Sequence, residues 1–293
     1  MCPYCKKTNS VCKSGTYTIA STQKKVQRYF CHECKKGFSS QTGTFDFRLR
    51  LRKINQSVFR LLSKGCSQRG TAQILSVAPQ TIARRVIRFG IVSQAKLELE
   101  LKLGPKIKEI MFDEMESFEH TKMKPLTIPI AVEKSTRKIL ALEVGRIPAK
   151  GPLAAKSRTK YGKRPCDRKK VLTSFFSKIQ AMLTPSGQVI SDESPHYPSF
   201  TSKFLPGHQH IRYKGGRGAI VGQGELKKQG FDPLFQLNHS YAMIRDNIKR
   251  LTRRTWCTTK RVDRLKYMLY IYANYHNQIL TGILRPVIEN INI

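Results

Sequence analysis

The sequence predicts a multidomain protein of mixed α+β and α/β class, with units at residues 1–44, 45–100 and 101–293. Three observations lead to this prediction. Two cysteine pairs spaced as CxxC lie near the start of the chain. A stretch with helical patterning and no acidic residue then runs from Phe47 to Leu97. After residue 107, strand-like apolar runs occur together with helical segments, and this combination is typical of a mixed sheet flanked by helices.

The charge balance points to a polyanionic partner. Lys and Arg total 54 against 19 Asp and Glu, which gives a formal net charge of +35. Such an excess repels itself unless a polyanion neutralises it, and nucleic acid is the simplest partner of this kind. The sequence has no apolar run of transmembrane length and no signal-peptide core at its start. We therefore expect no membrane partner and a cytoplasmic, nucleoid-associated protein.

The first unit is predicted to hold a structural metal. Its two CxxC pairs supply four thiolates, from Cys2, Cys5, Cys31 and Cys34. In a chain without signs of secretion, paired CxxC motifs indicate metal ligands rather than disulfides. One tetrahedral Zn²⁺ would replace the core that so short a segment cannot build, so the unit is predicted to be a zinc ribbon. The alternative is four unrelated reduced cysteines.

The second unit has the pattern of a helix-turn-helix. Helices are predicted at Asn55–Lys64, Ser67–Leu75 and Pro79–Phe89, from their capping residues and from the proline that suits a first helical turn. Four apolar residues are expected to close a small core: Ile74, Val77, Ile82 and Val86. The outward-facing residues, expected to contact a DNA groove and phosphates, are Gln80, Thr81, Arg84, Arg85 and Arg88. The alternative is a solvated face on a helical connector.

The third unit begins with three strands that are predicted to form an antiparallel meander. They are Lys108–Phe112, Leu126–Val132 and Lys138–Val144. A basic stretch from Arg146 to Arg168 follows and is expected to be a loop or insertion. The remaining predicted elements are a helix at Lys169–Met182, a fourth strand at Gln188–Ser191 and a helix that starts near Leu237.

Two carboxylates stand out in this unit because acidic residues are scarce. Asp113 is placed at the end of the first predicted strand, and Asp192 at the end of the fourth. If these strands are neighbours, the two carboxylates can meet at one Mg²⁺ or Mn²⁺ ion, which prefers hard oxygen ligands. Metal ions held in this way can activate a nucleophile and stabilise the leaving oxygen of a phosphodiester. The alternative is that each is an ordinary surface acid or turn cap.

At this point the residues resemble a known family. The segments Phe112-Asp113-Glu114 and Ile190-Ser191-Asp192, the latter followed by Tyr197, resemble insertion-sequence transposases of the DDE superfamily that carry an N-terminal zinc ribbon. So does the predicted helix Leu237–Cys257, in which residues 248–255 are the most family-like run. The resemblance covers almost the whole chain, because Phe38–Thr44 also resembles that family's join between ribbon and helical segment.

The resemblance has several implications. It implies that residues 101–293 form a ribonuclease-H-like catalytic domain with basic insertions, and that the reaction is Mg²⁺-dependent strand transfer. The expected partners are double-stranded DNA, as the terminal inverted repeats of a mobile element and as target DNA. Two DNA ends must be held at once, so a homo-oligomer on DNA is also implied.

The chain departs from the family pattern at one position. Where many relatives carry Glu on the final helix, this sequence has Asn238, seven residues before Arg245 on the same helical face. Some of these transposases are similar in using Asn, so the site can be Asp-Asp-Asn, with Arg245 on the same helix as a further site residue. An amide oxygen can ligate a hard cation but brings no charge. Glu225 and Asp246 compete for the third position, although Glu225 could be a loop acid and Asp246 a helix-surface acid.

The sequence therefore predicts a DNA transposase, a metal-dependent polynucleotidyl transferase that acts in DNA recombination. The expected reaction is hydrolysis at the element's end, followed by attack of the freed 3′-hydroxyl on target DNA. Two alternatives remain at this point. One is a DNA-binding regulator with a zinc ribbon and a helix-turn-helix, and the other is a catalytically inactive transposase remnant in which Asn238 marks decay.

Overall fold

The computed structural model of the 293-residue chain describes residues 1–20, 22–45, 47–214, 232–252 and 258–282. The chain forms two compact units, Met1–Val58 and Phe59–Ile293. The finer division predicted at residues 44 and 100 stays a prediction.

The first unit contains a three-stranded antiparallel sheet in the order β1-β2-β3. Its strands are β1 (Val11–Ile19), β2 (Lys24–Cys31) and β3 (Lys36–Ser39). The second CxxC pair occupies the turn between β2 and β3. Lys6 and Lys35 each follow the last cysteine of a pair, and both adopt a left-handed backbone with φ of 65° and 51°. The two cysteine turns therefore share this conformation even though neither carries glycine at that position.

Three helices follow, and they largely match the predicted helix-turn-helix. They are α1 (Asn55–Ser63), α2 (Gln68–Ile74) and α3 (Pro79–Leu103). Ser67 caps α2, since its Oγ accepts a hydrogen bond of 3.0 Å from the Gly70 amide. The prediction ended the third helix at Phe89, whereas α3 continues to Leu103. Gly90 does not end the helix but allows close packing, because a Cβ there would overlap the Tyr267 side chain.

The second unit is built on a mixed sheet with the strand order β6-β5-β4-β8-β9, and β7 pairs with β5. The strands are β4 (Ile107–Phe118), β5 (Pro125–Glu133), β6 (Ile139–Leu142), β7 (Gly145–Arg146), β8 (Leu183–Asp192) and β9 (Gln209–Tyr213). The pairs β4–β5 and β5–β6 are antiparallel, which confirms the predicted meander. Both β4–β8 and β8–β9 are parallel. The first and fourth predicted strands are therefore neighbours, as the metal-site prediction required.

Five further helices accompany the sheet in the described part of the unit. They are α4 (Leu153–Tyr161), α5 (Arg168–Met182), α6 (Tyr197–Phe204), α7 (Phe235–Asn247) and α8 (Val262–Leu280). Ile110 and Phe112 of β4 form a buried core with Phe175 and Phe176 of α5. Because side chains alternate along a strand, Met111, Asp113 and Met115 lie on the opposite face of β4. Within the described ranges, no helix is both long and apolar enough to span a membrane.

Two predicted boundaries in this unit are wrong. β4 continues to Phe118 because β5 pairs with it along that length, so Asp113 lies inside the strand and not at its end. The predicted helix Leu237–Cys257 stops at Asn247, and a short 3₁₀ helix occupies Lys249–Leu251. The backbone turns extended at Ile248, yet Ile248 and Leu251 stay buried. The apolar repeat in the sequence thus continues beyond the end of the helix, and for this reason the helix was predicted too long. Residues 253–257 of the predicted helix lie outside the described residues.

Candidate active site and metal centre

The four cysteine sulfurs of the first unit lie together in the geometry of a metal site. All four are within 4.8 Å of one another. The Sγ atoms of Cys2 and Cys34 are 3.6 Å apart, as are those of Cys5 and Cys31. Sulfurs at about 2.3 Å from a tetrahedral Zn²⁺ would be separated by about 3.8 Å. The cluster therefore fits one zinc ion, with Cys2 and Cys31 buried behind it.

The predicted DNA-contacting residues divide by burial. Gln80 and Arg84 are exposed on α3, and Thr81 and Arg88 are partly exposed. The prediction that Arg85 faces outward is wrong, because its side chain is only 4% exposed. Arg85 follows the buried Ile82 by three residues, which puts both on one face of the helix. The prediction placed Arg85 on the outer face because of its charge, which does not reveal that the side chain is buried.

The predicted small core of the helical segment also needs one correction. Ile74 is 62% exposed, whereas Thr71 and Ala72 of the same helix are buried. Ile74 is the last residue of α2, so the turn that follows leaves its side chain uncovered. Ile82 and Val86 are fully buried, as predicted.

Asp113 and Asp192 lie opposite each other on neighbouring strands. The parallel pairing of β4 and β8 includes Met111 opposite Ile190. Two residues further along each strand come Asp113 and Asp192, so both side chains fall on the same face of the sheet. Neighbouring strands are about 4.8 Å apart. The register therefore brings two carboxylates together at the point where β8 ends.

The environment of Asp113 holds its carboxylate in place and disfavours its charge. Oδ1 accepts hydrogen bonds from the Tyr197 hydroxyl at 3.0 Å and from the Glu114 amide at 2.6 Å. The Tyr241 hydroxyl donates to the backbone carbonyl of Asp113. Burial raises the pKa of Asp113 to about 7, and the nearby negative charge of Asp192 contributes in the same direction. A cation between the two carboxylates would relieve this repulsion.

Helix α7 approaches the carboxylate pair through Tyr241. Burial raises the pKa of Tyr241 well above its usual range, Asp113 adds to this effect, and Arg245 opposes it. Arg245, the predicted site residue on this helix, therefore lies close enough to Tyr241 to affect the pKa of the tyrosine. Arg245 itself is partly buried. Asn238 is three residues before Tyr241 and is exposed. Its Nδ2 donates to Oδ2 of Asp232 at 2.9 Å.

Asp246 and Glu225 were the alternatives to Asn238 as the third metal ligand. Asp246 is exposed on α7, and its negative charge adds to the effect of burial in raising the pKa of Tyr272 on α8. The leading causes of the raised pKa of Asp113 include Asp192 and Glu114 but not Asp246. Glu225 lies outside the described residues.

Several residues of the site were not predicted as such. Tyr197 and Tyr241 fix Asp113 from two different helices, and Asp232 holds the amide of Asn238. Asp232 also accepts a hydrogen bond from the Leu234 amide at the start of α7. Two signals were available: Tyr197 belongs to the family-like segment after Asp192, and Tyr241 lies three residues after Asn238 on the same helical face.

Comparison with known proteins gives one sequence relative. Over 90 residues the chain is 34% identical to an uncharacterized protein in the transposable element ISH50 of Halobacterium salinarum. The match covers 30% of this chain and 28% of that protein, so the chain matches well under half of the relative's length. No protein-family model matches the sequence.

Comparison with solved structures finds a pre-cleavage Mos1 transpososome. The comparison covers 78% of each chain at 9% sequence identity, with a TM-score of 0.20. A TM-score this low carries no argument about shared fold.

Proposed function

We propose that this protein is a DNA transposase of the DDE type that cuts and joins the ends of an insertion sequence. The observation that carries the proposal is the parallel register of β4 and β8, which pairs Met111 with Ile190 two residues before each aspartate, together with the effect of the Asp192 charge on the pKa of Asp113. The similarity to a protein of a transposable element supports it. The mixed sheet with its helices would then be the ribonuclease-H-like catalytic domain of such an enzyme.

The two aspartates would hold divalent cations, Mg²⁺ or Mn²⁺. Bound there, such ions stabilise negative charge on the oxygens of a phosphodiester. The protein's own residues prepare the site. Both described hydrogen bonds to the Asp113 carboxylate end on Oδ1, so within the described chain Oδ2 remains for a cation. The Tyr197 and Tyr241 hydroxyls fix the strand and the side chain, so little reorganisation would accompany binding.

Asn238 is the proposed third ligand, with Arg245 as a further site residue on the same helix. The bond from its Nδ2 to Asp232 directs the amide so that Oδ1, the atom able to ligate a hard cation, is the end left over. Glu225 remains the competing ligand. Asp246 is disfavoured because its charge acts on Tyr272 of α8.

DNA binding would use two further elements. The cysteine cluster would hold a structural Zn²⁺ that keeps the zinc ribbon folded. Helix α3 would present the exposed Gln80 and Arg84, with Thr81 and Arg88 beside them, to the terminal inverted repeats. Double-stranded target DNA, a homo-oligomer on DNA and a location at the nucleoid belong to the same proposal.

The test is cleavage of a supercoiled plasmid that carries the DNA flanking the gene. We expect the wild-type protein to nick it only when Mg²⁺ or Mn²⁺ is present. Asp113→Asn and Asp192→Asn should both lose nicking while they retain DNA binding. Glu193→Gln is the matched control, because Glu193 is exposed and adjacent to Asp192. Nicking at the wild-type rate by both aspartate variants would overturn the proposal in favour of a DNA-binding regulator.

A further inference from the structure

The segment that joins β7 to α5 is strongly basic. Residues 146–168, here termed the basic insertion, contain eight Lys and Arg residues and one acidic residue, Asp167. Lys156, Arg158 and Lys160 of α4 are exposed. Among the residues that the structure describes, none of these three forms an ion pair. Their charge is therefore available to a polyanion.

The basic insertion is anchored to the sheet. The Ser157 hydroxyl donates to the carbonyl of Met123 at 2.7 Å, and Ser157 itself is buried. The Arg164 guanidinium lies 3.1 Å from Glu119, the residue that follows β4. These contacts fix the side of α4 that faces the protein, so the exposed cations of α4 have a defined position.

Arg168, at one end of the basic insertion, contacts the strand that carries Asp113, on the face of the sheet opposite to that carboxylate. Arg168 Nε is 3.2 Å from Glu114, the residue next to Asp113. Arg168 also contacts the His196 ring at 2.7 Å, and His196 follows Asp192 by four residues. The insertion thus contacts β4 through Glu114 and the segment after β8 through His196.

The contact of Arg164 with Glu119 lies further along the chain, just past the end of β4. From Glu114 to Glu119 the chain advances five residues, which spans about 17 Å at roughly 3.3 Å per residue. One strand of duplex DNA has a phosphate about every 3.4 Å, so this length corresponds to about five phosphates. A backbone that enters the metal site could therefore follow the insertion for several nucleotides.

A cavity inside the basic insertion has the chemistry of a phosphate site. It has a volume of about 540 Å³ and is lined in part by Arg158, Lys163 and Arg164. The Arg164 side chain is only 10% exposed, and its Nε has no hydrogen-bond partner among the described residues. A buried N–H without a partner is costly, and Arg158 and Lys163 add two further cations to the same lining, a combination that suits an anion.

We propose that the basic insertion is a second DNA-binding surface, which holds the phosphate backbone of the duplex as it enters the Asp113–Asp192 site. This inference rests on the proposed function. The contacts are to phosphates, so binding here would not depend on base sequence. The surface is separate from the predicted groove-binding residues of α3.

The test measures how binding to a fluorescent duplex of random sequence depends on salt, without divalent metal. The variant is Lys156→Ala with Arg158→Ala and Lys160→Ala. Each lost phosphate contact lowers the slope of log K against log salt by about 0.9, so we expect a decrease of about 2.7 and binding at least roughly tenfold weaker near 0.1 M salt. The matched control is Lys102→Ala with Lys106→Ala and Lys108→Ala, three exposed cations around the opposite end of β4.

Two results would overturn the inference. One is a slope that the α4 variant leaves unchanged, and the other is an equal decrease in the control. Thermal unfolding checks that the variant is folded, and Lys156→Arg with Lys160→Arg should keep the slope because it keeps the charge. The assay contains no divalent metal and records no cleavage. A protein that nicks DNA but shows no change in slope would refute only this inference, whereas a decreased slope without any nicking would refute only the enzyme proposal.

Discussion

Replacing Asp113 by asparagine should stabilise the metal-free protein above neutral pH, although the change destroys the proposed metal site. The Asp113 carboxylate is largely buried and lies opposite Asp192, and these two causes raise its pKa to about 7. Asparagine has nearly the same shape and carries no charge. Its Oδ1 can still accept the hydrogen bonds from the Tyr197 hydroxyl and the Glu114 amide.

The magnitude follows from the pKa change between the unfolded and folded states. The pKa rises from 3.8 to about 7, and each unit corresponds to about 1.36 kcal/mol, so burying this charge costs up to about 4 kcal/mol. Below pH 3.8 both states hold the proton and the cost is absent. As the pH rises from 3.8 to about 7, the unfolded state loses its proton while the folded state keeps it, so the wild-type protein loses stability. The cost is complete above about pH 7.

Thermal unfolding in buffer without added divalent metal, at several pH values, measures this effect. If half or more of the cost is realised, the free energy of unfolding of Asp113→Asn should exceed that of the wild-type protein by about 2–4 kcal/mol at pH 8. Near pH 4 the two should differ by almost nothing. For a domain of this size, 1 kcal/mol shifts the midpoint by roughly 2–4 °C, so we expect at least a ~4 °C increase at pH 8. Glu116→Gln is the matched control, because Glu116 is an exposed acid of the same strand and should change the midpoint little.

Magnesium provides the second half of the same experiment. A cation between the carboxylates should stabilise the wild-type protein at pH 8 and leave the Asp113→Asn midpoint unchanged. Two results would refute the reasoning about the carboxylate pair. One is an Asp113→Asn protein that is less stable than wild type at pH 8, and the other is an increase of its unfolding midpoint in Mg²⁺ as large as that of the wild-type protein.

Three further predictions concern zinc, DNA and the third ligand. The reduced protein should contain close to one equivalent of Zn²⁺, and chelation should unfold only the first unit; metal analysis that finds no zinc would contradict the ribbon. Arg84→Ala should lower the salt slope of DNA binding by about 0.9, whereas the change of the buried Arg85 to Ala should instead lower the thermal stability by roughly 1–3 kcal/mol. If Arg85→Ala lowers the slope and Arg84→Ala lowers the stability, the orientation of α3 is wrong. Asn238→Ala should reduce plasmid nicking severely, and Asn238→Asp should retain part of it with an altered preference between Mg²⁺ and Mn²⁺. If Asn238→Ala is fully active and Glu225→Gln is inactive, the third ligand is Glu225.

The central part of the site could be predicted because the relevant signals are local. Each aspartate follows a short run of apolar residues in the sequence, and the antiparallel meander depends on turns that are visible in the sequence. The CxxC spacing likewise fixed the cysteine cluster, because each pair is contained in one turn.

The remaining features depend on contacts between distant segments. Arg85 is buried by packing that its charge does not reveal, and β4 is long because β5 pairs with it as far as Phe118. Tyr241 contributes to the site because α7 crosses β4, and an apolar repeat does not indicate where a helix will dock. Such features follow from tertiary packing rather than from local preference.

A change of ligand chemistry at the aspartates tests the central claim most directly. Asp113→Cys and Asp192→Cys each replace a hard oxygen ligand with a softer thiolate, which binds Mg²⁺ poorly and Mn²⁺ better. The measurement is the rate of plasmid nicking with each metal, and Glu193→Cys is the control. We expect both aspartate variants to be inactive with Mg²⁺ and to regain activity with Mn²⁺, while the control works with either ion. If, in Mg²⁺, the aspartate variants nick the plasmid as fast as the wild-type protein does, the claim that Asp113 and Asp192 hold the catalytic metal is contradicted.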